Sequence, residues 1–169
     1  MAADDITFKN SMRLLAGGVT IVTSALEGKR SGLTATAVCS LALSPPRILA
    51  SINVSGHTYE LVTRSRCMSV NLLAKEHREL AERFAAKRAV RDEDRFICGD
   101  WTTLTTGAPL LADALAALDC RVTDVIPMDS HAILIGVVED ILFGPAREPL
   151  IHFGAHFTSV LDQISESLP

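Results

Sequence analysis

Residues 31–40 read Ser31-Gly32-Leu33-Thr34-Ala35-Thr36-Ala37-Val38-Cys39-Ser40, and the fold class turns on them. Small residues on a strand let a planar ligand lie against exposed backbone, whose N–H and C=O groups can match a ring edge. Farther on, Ser51-Ile52-Asn53-Val54-Ser55 places hydroxyls and an amide near a turn, where they suit sugar-chain and phosphate oxygens. An ordinary Thr/Ser-rich barrel strand has the same composition, and residue types alone favour that plainer alternative.

The flanking segments also read as strands. Val19–Leu26 is β-branched and alternating, and Glu27-Gly28-Lys29 is a tight connection into Ser31–Val38, which predicts a hairpin. Ser44-Pro45-Pro46 is expected to stop strand pairing, since neither proline has an N–H to give. Arg47–Val54 follows as a third strand. Ser55-Gly56-His57 is a turn, and Thr58 is the expected cap of a short helix ending near Thr63. Cys67–Leu73 reads as a fourth strand, and Glu76–Ala86 as a helix with Leu80 and Phe84 on its inner face. Lys87–Asp100 is charged and irregular, the expected mobile loop. Strands are predicted at Ala114–Val125, His131–Phe143, Pro149–Phe153 and near Phe157–Leu161. At the start, Asp4 and Asp5 cap a helix whose Ile6, Phe8, Met12 and Leu15 share a stripe, with Gly17-Gly18 ending it. Short, closely spaced strands without βαβ alternation predict a mainly β fold with a few helices, a Greek-key barrel in one domain spanning 1–169.

Composition narrows the partners. At 169 residues, 48% hydrophobic, the chain has more apolar content than a lone soluble domain of this size needs, which predicts a homodimer. A net charge of −4 opposes nucleic acid as main partner. The basic residues between Arg78 and Arg95 are interleaved with acids, as on a solvated face. Cys39, Cys67, Cys98 and Cys120 show no zinc spacing, and no apolar run approaches a membrane span. The start lacks a signal peptide, so a reduced, cytoplasmic protein without membrane or metal is expected. No dinucleotide fingerprint, phosphate loop, nucleophile elbow or H-E-x-x-H motif is present. His152 and His156 are four apart on a strand-like segment, a spacing that need not converge on a metal. Trp101 and Tyr59 read as partly buried packing residues, and Cys39 as a small core or pocket-wall residue.

Taken in order, several pieces match one family. Gly18-Val19-Thr20-Ile21-Val22-Thr23, then 32–40, Ser44-Pro45-Pro46-Arg47 and Val70-Asn71-Leu72-Leu73 come first. Leu80-Ala81-Glu82-Arg83-Phe84-Ala85, Asp94-Arg95-Phe96, Gly107-Ala108-Pro109-Leu110, Ala117-Leu118-Asp119-Cys120, His131 before Gly136, and Pro149-Leu150 complete the set. The chain thereby resembles the short flavin reductases, the reductase components of two-component flavin monooxygenases. The resemblance implies an FMN-binding split barrel, a homodimer, and NADH or NADPH reducing FMN or FAD for a partner monooxygenase. It implies that Thr34, Ala35, Thr36, Ala37, Val38, Ser40 and Leu41 line the flavin ring and ribityl chain. Ser51, Ile52, Asn53, Ser55 and Thr58 would hold phosphate, with Arg83 and Phe84 closing that side. His131, the catalytic candidate, would face the nicotinamide together with Phe153, Gly154 and His156. Read structurally, His131 bonds a loop carbonyl and Arg83 is a surface arginine. Two positions depart from the family: Asp129-Ser130-His131 replaces its frequent Gly-Asp-His, and His156 or Phe157 replaces a tail tyrosine. Competing readings are a split-barrel oxidase of the pyridoxamine-phosphate-oxidase type, which would stay yellow and oxidise NADH poorly, and a flavin- or haem-binding module without turnover.

Overall fold

Asp4 caps the first helix, α1 (Asp5–Met12), its carboxylate accepting from the N–H groups of Ile6 and Thr7 at 3.1 and 3.0 Å. In the computed structural model, which describes residues 3–85 and 91–160, that helix ends well before Gly17-Gly18. The two glycines form a short strand, β1 (Gly17–Gly18), rather than a helix stop. The stripe of Ile6, Phe8, Met12 and Leu15 meets no core and stays exposed on the single chain.

The predicted hairpin forms. β2 (Thr20–Leu26) and β3 (Lys29–Ala35) pair from Leu26↔Lys29 to Thr20↔Ala35. Glu27 and Gly28 hold φ of 51° and 79°, the paired positive values that match the twist of the strands. β3 is shorter than predicted. The chain leaves it at Thr36-Ala37 and enters β4 (Val38–Leu43), which pairs with β5 (Pro46–Asn53) as far as Leu43↔Pro46. Ser44-Pro45-Pro46 therefore turns the chain instead of ending pairing. A proline at a hairpin tip or an edge position gives up no ladder bond.

α2 (His57–Ser65) is capped by Gly56, not Thr58, whose buried hydroxyl instead lies 2.8 Å from that of Ser31. β6 (Cys67–Leu72) and α3 (Arg78–Ala85) follow, with Leu80 and Phe84 buried as expected, and a 3₁₀ turn at Lys75–His77 takes the place of the helix's expected first residues. Ala86, residues 87–90 of the expected loop and Leu161 lie outside the described residues. From Arg91 onward the segment is anchored: α4 (Asp92–Arg95) buries Arg95, and Phe96 enters the core. The remaining strands are β7 (Trp101–Thr103), β8 (Pro109–Leu111), β9 (Ala116–Met128), β10 (His131–Phe143), β11 (Leu150–Phe153) and β12 (His156–Ser159).

Seven strands form one antiparallel sheet in the order β3-β2-β6-β9-β10-β5-β4, with β1-β11-β12 and β7-β8 as smaller sheets. β3 and β4 stand at opposite edges of the sheet, yet only Thr36 and Ala37 separate them in the chain. So short a link forces the sheet to curl until its edges face each other. Beside that link the β4–β5 pairing runs on by one residue, where Ser51 N–H donates to the Ala37 carbonyl at 2.9 Å, so the link itself bridges the two edges. Elsewhere they part, which makes the barrel a split one.

Inside the barrel pack Val22, Ile52, Met68, Val70, Cys120 and Leu134. A second core, with Ile21, Leu73, Phe84, Phe96 and Leu110, lies under α3 and the β7–β8 hairpin. Trp101 is partly buried there and Tyr59 packs on the barrel core, as predicted. Cys39 is exposed on β4 because that edge strand turns its side chain away from the barrel. A buried polar set ties three strands together. The hydroxyls of Thr23 and Ser69 lie 2.6 and 2.5 Å from the Pro109 carbonyl, while Asn71 donates to Ile21 O and accepts from Leu111 N–H at 2.9 and 2.7 Å. Among the described residues, no helix is long and apolar enough to cross a membrane.

Candidate active site

The gap between the barrel edges opens into a cleft of about 870 Å³. One wall is β3 from Ser31 to Ala35, continued by Thr36 and Ala37. The other is Ser51, Ile52, Asn53 and Ser55, with His131 beside them. Gly56, His57 and Thr58 at the start of α2, Phe84 and Ala85 at the end of α3, and Arg91, Asp92 and Arg95 complete the lining.

The cleft has two chemically different ends. Near Thr36-Ala37 the walls are small side chains and backbone. About five strand residues away, a distance of roughly 17 Å, Ser31 bonds Thr58 beside the charged groups of α2 and α4. Gly32 is required in this wall, because a Cβ there would stand 2.8 Å from the Phe84 ring. Thr34 donates its hydroxyl to Ala81 O at 2.6 Å, which fixes α3 against β3 and leaves Thr34 its backbone for a ligand. Asn53 Oδ1 accepts from the Ser55 amide and hydroxyl at 2.7 and 2.6 Å, so its NH₂ is the group that can donate into the cleft. Arg95 is buried and donates from Nη1 to Gly32 O and Phe84 O at 2.9 and 3.2 Å, closing the floor. His131 opens β10 opposite Asn53 and is exposed, its Nδ1 lying 2.9 Å from Ser130 Oγ.

Of the residues singled out in the sequence, Thr34, Ala35, Thr36, Ala37, Ser51, Ile52, Asn53, Ser55, Thr58, Phe84 and His131 are brought together around the cleft. Others are placed elsewhere. Val38 is half-buried toward the barrel core, while Ser40 and Leu41 lie exposed on β4. Arg83 reaches back to Asp94 O at 3.4 Å and does not border the cleft. Phe153, Gly154 and His156 form the β11–β12 hairpin, outside the walls of the cleft on this chain. There His152 pairs with Phe157 and Phe153 with His156, which sends the two histidines to opposite faces. Sequence reasoning missed His57, Arg91, Asp92 and Arg95. His57 reads only as part of a turn, the alternating charges of the other three resemble a solvated face, and only the Asp94-Arg95-Phe96 match points to that stretch.

The arrangement fits an elongated ligand that is planar at one end and anionic at the other. Residues 12–161 match the family model described as flavin reductase like domain. The chain is 37% identical to FMN reductase (NADH) RutF of Bradyrhizobium diazoefficiens, over 90% of this chain and 84% of that protein. It superposes on a Haemophilus somnus structure described as a flavin reductase with a TM-score of 0.89 and 39% identity, covering 94% and 100% of the two chains. Streptomyces globisporus SgcE6, an NADH:FAD oxidoreductase solved with NAD and FAD fragments, gives a TM-score of 0.85 and 27% identity over 96% of each chain. A split barrel with such a cleft, matched along nearly its full length, makes this chain a member of the flavin reductase-like family and an oxidoreductase.

Proposed function

We propose that this protein uses NADH to reduce FMN and releases the reduced flavin to a separate monooxygenase. The observation that carries the reading is the polarity of the cleft: a small-residue, backbone-rich end suited to a ring, and a charged end suited to phosphate. The curated relative from Bradyrhizobium is named for NADH and FMN, whereas SgcE6 is named for FAD, which makes FMN the first choice and FAD the second. When bound, the nicotinamide supplies a hydride that the flavin accepts, and the protein supplies orientation. Thr36, Ala37 and the backbone of Thr34 would hold the ring flat, with Ala35 lining the cleft beside them while its carbonyl takes the Thr20 hydroxyl. Ser51, Asn53 and Ser55 would take the ribityl and phosphate oxygens. His131, exposed at the rim, would orient the nicotinamide.

Residues that leave this cleft on one chain fit a homodimer. Leu41 and Leu43 on β4, Phe143 on β10 and Phe153 on the β11–β12 hairpin are exposed apolar groups that a second copy would cover. Across that contact, Ser40, Leu41, Phe153, Gly154 and His156 would approach the partner's cleft. Sedimentation at micromolar concentration giving only monomer overturns the dimer.

The direct test is steady-state oxidation of NADH and NADPH with FMN, FAD and riboflavin, followed at about 340 nm, the nicotinamide absorbance. NADH with FMN is expected to turn over fastest. No turnover with any flavin, or a flavin retained through purification together with poor NADH oxidation, refutes the reading.

A further inference from the structure

Ser130 sits at the tip of the β9–β10 hairpin and makes contacts in two directions. Its carbonyl accepts from the Val54 N–H at 3.0 Å, which fastens the tip to the turn that follows β5. Its hydroxyl lies 2.9 Å from His131 Nδ1. Val54 stands between Asn53 and Ser55, which line the cleft, and His131 lines it beside them. We propose that Ser130 is the positioning residue of His131, holding the imidazole so that Nε2 is presented to the nicotinamide. This rests on the flavin-reductase reading, in which His131 orients the nicotinamide, and deepens it by naming what aims the ring.

The local structure makes the serine a fixed point. Asp129 takes the left-handed conformation at φ 50° and turns the chain, so that Met128 and His131 stand opposite each other across the tip. His131 is also paired with Asn53 on β5. Two strands thus set the backbone under the imidazole, while the exposed ring keeps its rotation about the side-chain bonds. One hydrogen bond at Nδ1 selects a ring orientation and leaves the other nitrogen to a ligand. A hydroxyl donates or accepts, so it serves either neutral tautomer, and unlike a carboxylate it adds no charge that favours the imidazolium. Among the described residues, β5 and β9 oppose His131 with Asn53 and Met128, neither of which titrates. Asp129 is the titratable neighbour on the tip, and the cleft lining contributes His57, Arg91, Asp92 and Arg95.

Removing the hydroxyl leaves the carbonyl clasp to Val54 in place, so Ser130→Ala tests the side chain alone. It should lower kcat/KM for NADH by about three- to fivefold, with the dissociation constant for FMN unchanged. Ser130→Thr, which keeps the hydroxyl, should recover most of the loss. Because the effect passes through the ring, Ser130→Ala should cost nothing further in a His131→Ala background. Ser130→Asp puts a carboxylate against Nδ1. A negative neighbour favours the protonated ring, so the proton is lost at higher pH. In histidine-labelled protein without flavin or nicotinamide, the imidazole signal that His131→Ala abolishes should titrate about half a pH unit or more higher in Ser130→Asp. Wild-type NADH kinetics in Ser130→Ala, no recovery in Ser130→Thr, additive losses in the double variant, or an imidazole midpoint unmoved by Ser130→Asp overturns the proposal. Wild-type protein that oxidises no nicotinamide with any flavin overturns the flavin-reductase reading itself, and this assignment with it.

Discussion

An alanine at Gly32 would put its Cβ 2.8 and 3.0 Å from two Phe84 ring carbons and 3.1 Å from the Thr23 methyl. Phe84 has nowhere to retreat. It is fully buried, with the Phe96 and Trp101 rings centred 5.1 and 5.5 Å away. Overpacking of this kind costs about 1–3 kcal/mol. Loss of glycine's freedom in the unfolded chain returns ~0.4–1 kcal/mol, so the net destabilisation from the middle of each range is about 1.3 kcal/mol. For a chain of this length, that lowers the thermal midpoint by roughly 2–8 °C. Thermal unfolding of Gly32→Ala, Phe84→Leu and the double variant measures it. The smaller ring-site residue should absorb the new methyl, so the double variant should be more stable than the sum of the singles by at least ~0.5 kcal/mol. A wild-type midpoint in Gly32→Ala, or strict additivity, would refute the claim that β3 approaches α3 closely enough to demand glycine.

Three further outcomes are expected. Thr36→Leu fills the small-residue end of the cleft and should weaken flavin binding by about 1–3 kcal/mol without unfolding the protein; unchanged affinity by fluorescence titration removes Thr36 from the site. His131→Ala should lower kcat/KM for NADH by about tenfold with little change in flavin affinity or thermal midpoint, and His131→Asn should recover part of the rate. If the alanine variant unfolds, His131 is structural. Asp113 gives a pH test: burial pushes its carboxyl up, but the hydrogen bond and charge of His77 and the Arg147 guanidinium outweigh this and hold it below the ordinary 3.8. A depressed folded value contributes stability above the unfolded value and loses it as pH falls through the folded one. The stability gap between wild type and Asp113→Asn should therefore be full at about pH 6 and close below roughly pH 3; a gap that is flat across that range contradicts the pairing.

Much of the fold was legible because its long central strands carry their own signals. His131–Phe143 was bounded correctly, and Glu27-Gly28 announced its hairpin. β4 was missed for a physical reason. An edge strand with exposed Cys39, Leu41 and Leu43 shows no alternation between inside and outside, and the prolines after it read as a stop. α4 was missed because four residues cannot hold a helix by propensity. It exists through bonds to β3, α2 and α3, distant in sequence. The cleft was read better on its small-residue end than on its charged end. Strand composition signals the first, whereas the His57–Asp92 contact spans 35 residues and appears only when the chain is folded.

The buried set of Thr23, Ser69 and Asn71 has a consequence for how the barrel assembles. Their partners, the Pro109 carbonyl and the Leu111 amide, meet them in one alignment of β2, β6 and β8 only. Sliding any of these strands by one residue would carry its side chains to the opposite face. Each polar group stranded in this way costs about 1–3 kcal/mol, and three of them would consume much of the ~5–15 kcal/mol by which a domain is stable at all. An all-aliphatic barrel of the same shape could settle into neighbouring registers at little cost. Here the hydroxyls and the amide proofread the assembly, rejecting misaligned barrels before the cleft between their edges can form.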